Sequence, residues 1–136
     1  MVDKWKAWSP ELLSVLRIVA AFIFIPSGTS KLFAWPVAMP QGMTAPPFSE
    51  VWVAGVLETF GGLLVLVGLC TRPVAFVLAG EMAVAYFQFH APHSFWPSVN
   101  QGTAAALYCF LFLYLSSAGP GPWSVDAKIR GRGGAR

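Results

Sequence analysis

The chain has 136 residues, of which 56% are hydrophobic and 11% charged, with a net charge of +3. So few charges cannot supply the polar shell of a soluble domain of this length. The pI near 9.1 does not indicate nucleic-acid binding, because the basic residues cluster at the chain ends instead of lining one face. The apolar residues fall into long runs, and a hydrocarbon core takes roughly 20 such residues per helix. The reading is an all-α membrane protein: one domain over residues 1–136, a four-transmembrane-helix bundle.

The first span is expected over residues 11–34, entered through Ser9-Pro10, a helix start. It extends too far for a cleaved leader and lacks the small-residue cleavage pattern. Pro26 should kink it. The loop WPVAMPQGMTAPPFS follows, with four prolines. The second span covers residues 50–69, and Cys70-Thr71-Arg72-Pro73 should form a tight turn. The third covers residues 73–89. The loop HAPHSFWPSVN leads to a fourth span over residues 100–117, ended by Gly119-Pro120-Gly121-Pro122. A basic tail, residues 124–136, carries Lys128, Arg130, Arg132 and Arg136.

Lys4 and Lys6 precede the first span, Arg72 separates the second and third, and the tail follows the fourth, while the other two loops lack Lys and Arg. The positive-inside rule therefore places both termini in the cytoplasm, with the tail near anionic lipid head groups.

Past the first residue of each expected span, four charged side chains lie within: Arg17, Lys31, Glu58 and Glu81. A lone charge at bilayer depth costs about 2.5–3.5 kcal/mol, so such residues pair or face a wet cavity. Glu58 lies about 12 Å below the outer surface at 1.5 Å per residue, within reach of Lys31. Arg17 and Glu81 share the inner half. The expected pairs are Lys31 with Glu58 and Arg17 with Glu81. Arg17, Ala21, Phe24, Gly28 and Lys31 recur on one helical face, as do Gly55, Glu58 and Gly62. Glycines there let another backbone approach closely. On the third span, Glu81, Ala85 and Gln88 form a polar face, and Ala75, Ala79 and Ala83 a small-residue stripe suited to a second copy.

Two readings of the charges stay open. They set helix register, or they handle protons or a cofactor, with Glu58 the first candidate and Lys31 beside it. His90 and His93 read first as hydrogen-bonded loop residues, and no metal site is expected. Phe95 and Trp96 read as interface belt residues that could also cover a flat ring such as a quinone. Cys70 and Cys109 differ in depth by about 13 Å at 1.5 Å per residue. That is too far for a disulfide, which argues against a thiol oxidase needing paired cysteines.

From Leu16 to Asp126 the pattern resembles the DoxX family of small bacterial four-span membrane proteins. The resemblance rests on Arg17, on G-x-x-K-L from Gly28 to Leu32, and on E-x-x-G-G followed by G-x-x-T-R from Glu58 to Arg72. It continues through Met82-Ala83, FWP, and GPGPWSVD from Gly119 to Asp126. It implies a multi-pass protein of the bacterial cytoplasmic (inner) membrane, in contact with lipid. It further implies a subunit of, or partner to, a quinone-linked redox system, with an oxidoreductase partner or a homo-oligomer. On that reading a cofactor such as quinone would meet Arg17, Lys31, Glu58, Glu81, His90 and Trp96. The alternative is a non-catalytic assembly or binding protein, as distant cargo receptors are. Two positions depart from the family pattern: Ser27, where members often carry His, and Thr103, where they often carry Glu. Both remove a potential ligand or proton carrier near the outer surface.

Overall fold

A computed structural model describes residues 1–133; Arg136 of the basic tail lies outside the described residues. Among the described residues the regular structure is entirely helical. The chain forms two compact units, one from Met1–Thr71 with the segment from Pro120 onward, the other Arg72–Gly119.

The first unit begins with a short α1 (Val2–Ala7) and a long α2 (Ser9–Phe33). α2 continues through Pro26 and stops where Ala34 turns left-handed. The proline-rich loop contains one tight turn, Pro40–Gly42, and returns to α2 through the Ala45 amide, which donates to the Lys31 carbonyl at 2.7 Å. Ser49 then caps α3 (Glu50–Val67) by accepting from the Trp52 amide, which satisfies one of the free donors of the first turn. The end of α3 is a Schellman motif. Gly68 has φ 75°, its amide and that of Leu69 both reach the Leu64 carbonyl, and a side chain would be strained there.

α2 and α3 pack through their glycines. A Cβ on Gly28 would lie 2.6 Å from the Thr59 amide nitrogen and 2.7 Å from the Gly55 carbonyl oxygen. One on Gly62 would lie 2.7 Å from the Ile25 side chain. The expected faces are thus the buried ones: Arg17, Ala21, Phe24 and Gly28 on α2, and Gly55, Glu58 and Gly62 on α3. α2 and α3 are each long and apolar enough to cross a membrane.

The turn expected at Cys70 to Pro73 falls earlier. Gly68 and Cys70 take the left-handed conformations, and α4 (Thr71–Ala85) has already begun at Thr71. Pro73 sits in its first turn, where a missing N–H costs nothing. α4 runs on through a widened π-type segment, Tyr86–His90.

Its faces also differ from expectation. Ala75, Leu78, Ala79 and Met82 form one buried stripe, whereas Gln88 is exposed. Ala75 and Ala79 are therefore not available to a second copy. A short α5 (Pro97–Asn100) is followed by left-handed Gln101, so the next long helix, α6 (Thr103–Ala118), starts three residues after Asn100. The tail folds in part as α7 (Val125–Gly133), its start capped by the Ser124 hydroxyl, which accepts from the Ala127 amide at 3.1 Å.

Two charged centres and a tied loop

The first centre sits where α2 and α3 touch. The Lys31 ammonium forms an ion pair with Glu58 and donates to the Ser27 hydroxyl at 3.2 Å. Glu58 is 2% exposed, whereas the Lys31 side chain is 24% exposed. Glu58 lies in a π-type widening of α3, Leu57–Gly61. Such a widened turn loosens the main-chain ladder and is common at functional sites. The neighbouring Thr59 hydroxyl is buried without a hydrogen-bond partner among the described residues. Lys31 spends two of its three donors on Ser27 and Glu58.

The second centre is Arg17, which is 0% exposed. Its Nε donates to the Pro120 carbonyl at 2.7 Å, Nη1 to Val65 and Leu66 at 2.6 and 2.5 Å, and Nη2 to Trp123 at 2.5 Å. Val65 and Leu66 belong to the last turn of α3, where carbonyls lack the usual helical partner; the Gly68 amide also reaches Val65, at 3.1 Å. The guanidinium therefore caps α3 and ties the GPGPW segment to it. Ser14 adds a further tie by accepting from the Trp123 amide at 3.2 Å. Gly121, at φ 77°, packs directly on Ser14. Glu81, expected as the partner of Arg17, lies on α4 in the other unit and is half-buried.

Asp126 completes this region. Its carboxylate accepts from the Cys70 and Thr71 amides, both at 2.9 Å, and its own amide donates to the Gly68 carbonyl. Partial burial works against its ionisation. The amides of Thr71 and Cys70 and the charge of Arg130 outweigh that, holding the carboxyl below the usual carboxylate range. The T-R and WSVD motifs are thus two halves of one joint.

In the second unit, Arg72 donates to the Ser116 carbonyl at 3.3 Å and to that of Ser117, a cation at the end of α6. The loop before α6 is organised by Asn100, which is buried. Its amide donates to the Ser94 carbonyl at 2.7 Å and the Tyr86 hydroxyl at 3.2 Å, and its side-chain oxygen accepts from Gly102. Tyr86 in turn donates to the Phe95 carbonyl at 2.6 Å.

His90 Nδ1 meets the Asn100 carbonyl at 3.0 Å and His93 Nδ1 meets that of Phe89 at 3.1 Å. A carbonyl only accepts, so both rings carry their proton on Nδ1. Trp96 is exposed and stands edge-on to Phe95. Both cysteines are free thiols. Among the described residues, no three His, Cys, Asp or Glu side chains group as metal ligands would.

Of the candidate residues, the structure brings Lys31 and Glu58 together and gives Arg17 main-chain carbonyls as hydrogen-bond partners. Glu81, His90 and Trp96 belong to the second unit. Sequence reasoning missed Asn100, Tyr86 and Asp126. The available signals were Asn100 beside a turn glycine and Asp126 following the Gly-Pro pair by a fixed few residues.

Comparison with known proteins identifies the fold's relatives. The DoxX family model matches residues 12–91, and the chain belongs to the DoxX family. It is 42% identical over 131 residues to an "Uncharacterized protein" of Haemophilus influenzae, covering 94% of this chain and 98% of the relative. It is 33% identical to the Inner membrane protein YqjF of Escherichia coli, covering 85% and 89%. It is 29% identical to the Inner membrane protein YphA of the same organism, covering 88% and 91%. No solved structure matches the chain.

Proposed function

We propose that this is a four-span protein of the bacterial inner membrane, both termini cytoplasmic, whose Lys31–Glu58 pair binds the polar head of a quinone for a membrane redox partner. Support for the membrane comes from inverted burial. Arg17 and Glu58 are 0% and 2% exposed, while Phe22, Phe76 and Phe110 are 69%, 64% and 71% exposed. Water disfavours that distribution and lipid favours it. Two relatives are named inner membrane proteins. The cations Lys4, Lys6, Arg72, Lys128 and Arg130 fall at the ends and in the joint between the second and third spans, which favours cytoplasmic termini. α4 with its π-type continuation and α6 would supply the third and fourth spans.

One observation carries the quinone reading: the partly open Lys31 ammonium keeps a third donor beside a buried carboxylate. An ammonium there can donate to a carbonyl oxygen, and an adjacent carboxylate can hold a proton. A quinone needs both. His90 and Trp96, in the outer loop, are secondary candidates.

A second reading, a non-catalytic assembly protein, is favoured by Arg17 and Arg72, whose hydrogen bonds above go to main-chain carbonyls. Small molecules extracted from the purified protein, identified by mass spectrometry and by absorption, separate the two. Quinone at one per chain, lost in a folded Glu58→Gln variant, is the expected result. Phospholipid alone, unchanged in that variant, would overturn the quinone reading in favour of the second.

A further inference from the structure

α1 buries none of its residues. Six isolated helical residues are not stable in water, since nucleation outweighs so short a run. Something outside the chain must therefore cover this helix. Its faces show what. Trp5 within it and Met1 and Trp8, which cap its two ends, fall at i, i+4 and i+7 on one side and are all exposed. Lys4 borders that stripe, and Lys6 and Asp3 lie on the far side.

α7 brings further cations to the same end of the unit. Its leading segment is held there by Arg17 and Ser14 on α2 and by the Asp126 carboxylate on the Cys70 and Thr71 amides. Gly121 lies against the Pro10 carbonyl, at the very start of α2. Lys128 and Arg130 point outward from α7, and Trp123 is exposed just before it. Asp126 offsets part of this charge, chiefly that of Arg130, and leaves Lys4, Lys6 and Lys128 in excess. Glu11 is half-buried, leaving Asp3 as the exposed acid on α1.

We infer that α1 lies in the plane of the membrane surface, with Met1, Trp5 and Trp8 in the acyl boundary, and that Lys4, Lys6, Lys128 and Arg130 bind anionic phospholipid head groups. A short helix with an aromatic face and flanking lysines has the chemistry of an interfacial anchor. Basic residues beside it select anionic over zwitterionic head groups. Neither a nucleic acid nor an acidic protein would cover the tryptophans. The inference rests on the membrane reading above.

The test is native mass spectrometry of the full chain released from nanodiscs holding equal parts phosphatidylglycerol and phosphatidylethanolamine. The wild type should retain phosphatidylglycerol at least about threefold over phosphatidylethanolamine. A K4Q/K6Q/K128Q variant, which leaves Arg130 beside Asp126, should retain the two nearly equally, with its melting temperature unchanged because these three side chains are exposed. Equal retention by the wild type, or undiminished preference in the variant, overturns the inference and leaves the membrane reading intact. Release of the wild type from membranes by alkaline carbonate would overturn both.

Discussion

Arg17→Met is the substitution with the most to lose. The guanidinium, 0% exposed, serves four carbonyls on two chain segments, Val65 and Leu66 at the end of α3 and Pro120 and Trp123 in the return loop. Methionine keeps much of the volume and none of the donors. A buried acceptor left without a partner costs about 1–3 kcal/mol. The Gly68 amide still serves Val65, and relief of the buried charge offsets part of the rest, leaving a net loss of roughly 3–6 kcal/mol from three acceptors. That is a large share of a typical total of about 5–15 kcal/mol. In detergent, followed by intrinsic tryptophan fluorescence, it should lower the melting temperature by about 10 °C or more. Arg17→Lys should recover only part, because an ammonium has no planar fork to span both segments. Adding Glu81→Gln should not rescue Arg17→Met. If Arg17→Met melts within about 2 °C of the wild type, the carbonyl tie does not hold the fold. Rescue by Glu81→Gln, with Arg17→Lys near neutral, would instead make Arg17 a counter-charge to Glu81.

Lys31→Glu and Glu58→Lys should each abolish most folded protein, and the double swap should restore it; a double no better than the singles, by size-exclusion yield, dissolves the pair. Gly28→Ala should destabilise by about 2–3 kcal/mol, because its Cβ meets the Thr59 amide nitrogen and the Gly55 oxygen, which are main chain and cannot give way. Gly80→Ala on α4 meets nothing within 4 Å and should be neutral or stabilising by up to about 1 kcal/mol; equal thermal shifts in the two variants would discount the close approach. The Asp126 carboxyl is held below its usual value in the folded chain. Its contribution is therefore full above the ordinary carboxylate pKa of about 3.9 and is lost as pH falls through the depressed folded value. Asp126→Asn should lower the melting temperature at neutral pH and flatten its decline below about pH 4; an unchanged acid limb would remove Asp126 from the joint.

The buried faces of α2 and α3 were legible because a 3.6-residue period leaves a mark in sequence. Arg17, Phe24, Gly28 and Lys31 repeat on one side, and Gly55, Glu58 and Gly62 on another. The Lys31–Glu58 pair followed from depth and charge balance. The acceptors of Arg17 were not legible, because a main-chain carbonyl has no letter of its own. For the same reason GPGPWSVD read as a helix stop, when its carbonyls and Asp126 close the fold on Arg17, Cys70 and Thr71. On α4 the alanines suggested a face for a second copy, yet the buried stripe also includes Leu78 and Met82. Size did not distinguish inside from outside there, since the Ala, Val, Leu, Phe and Met of that helix are apolar enough for either. α1 was missed because tertiary burial, the usual support for a helix, is absent from it.

The charges of this chain divide by what they have left to give. A helix ends with four carbonyls that lack partners, and in hydrocarbon no water can serve them. Arg17 supplies donors to the end of α3, and Arg72 to the end of α6. In each case the cation also faces the negative end of the helix dipole, which lowers the cost of burying Arg17. Such a cation needs no carboxylate, so its presence deep in an apolar sequence is not by itself a sign of chemistry. Lys31 and Glu58 are different. Glu58 lies midway along α3, and Lys31, although in the last turn of α2, gives its donors to Glu58 and Ser27 and caps no carbonyl there. Their meeting point coincides with the π-type widening of α3 and with the buried, unpartnered Thr59 hydroxyl. A pair that only locked register would not need a loosened turn or an open ammonium. Ligand chemistry is therefore to be sought at Lys31 and Glu58 before Arg17.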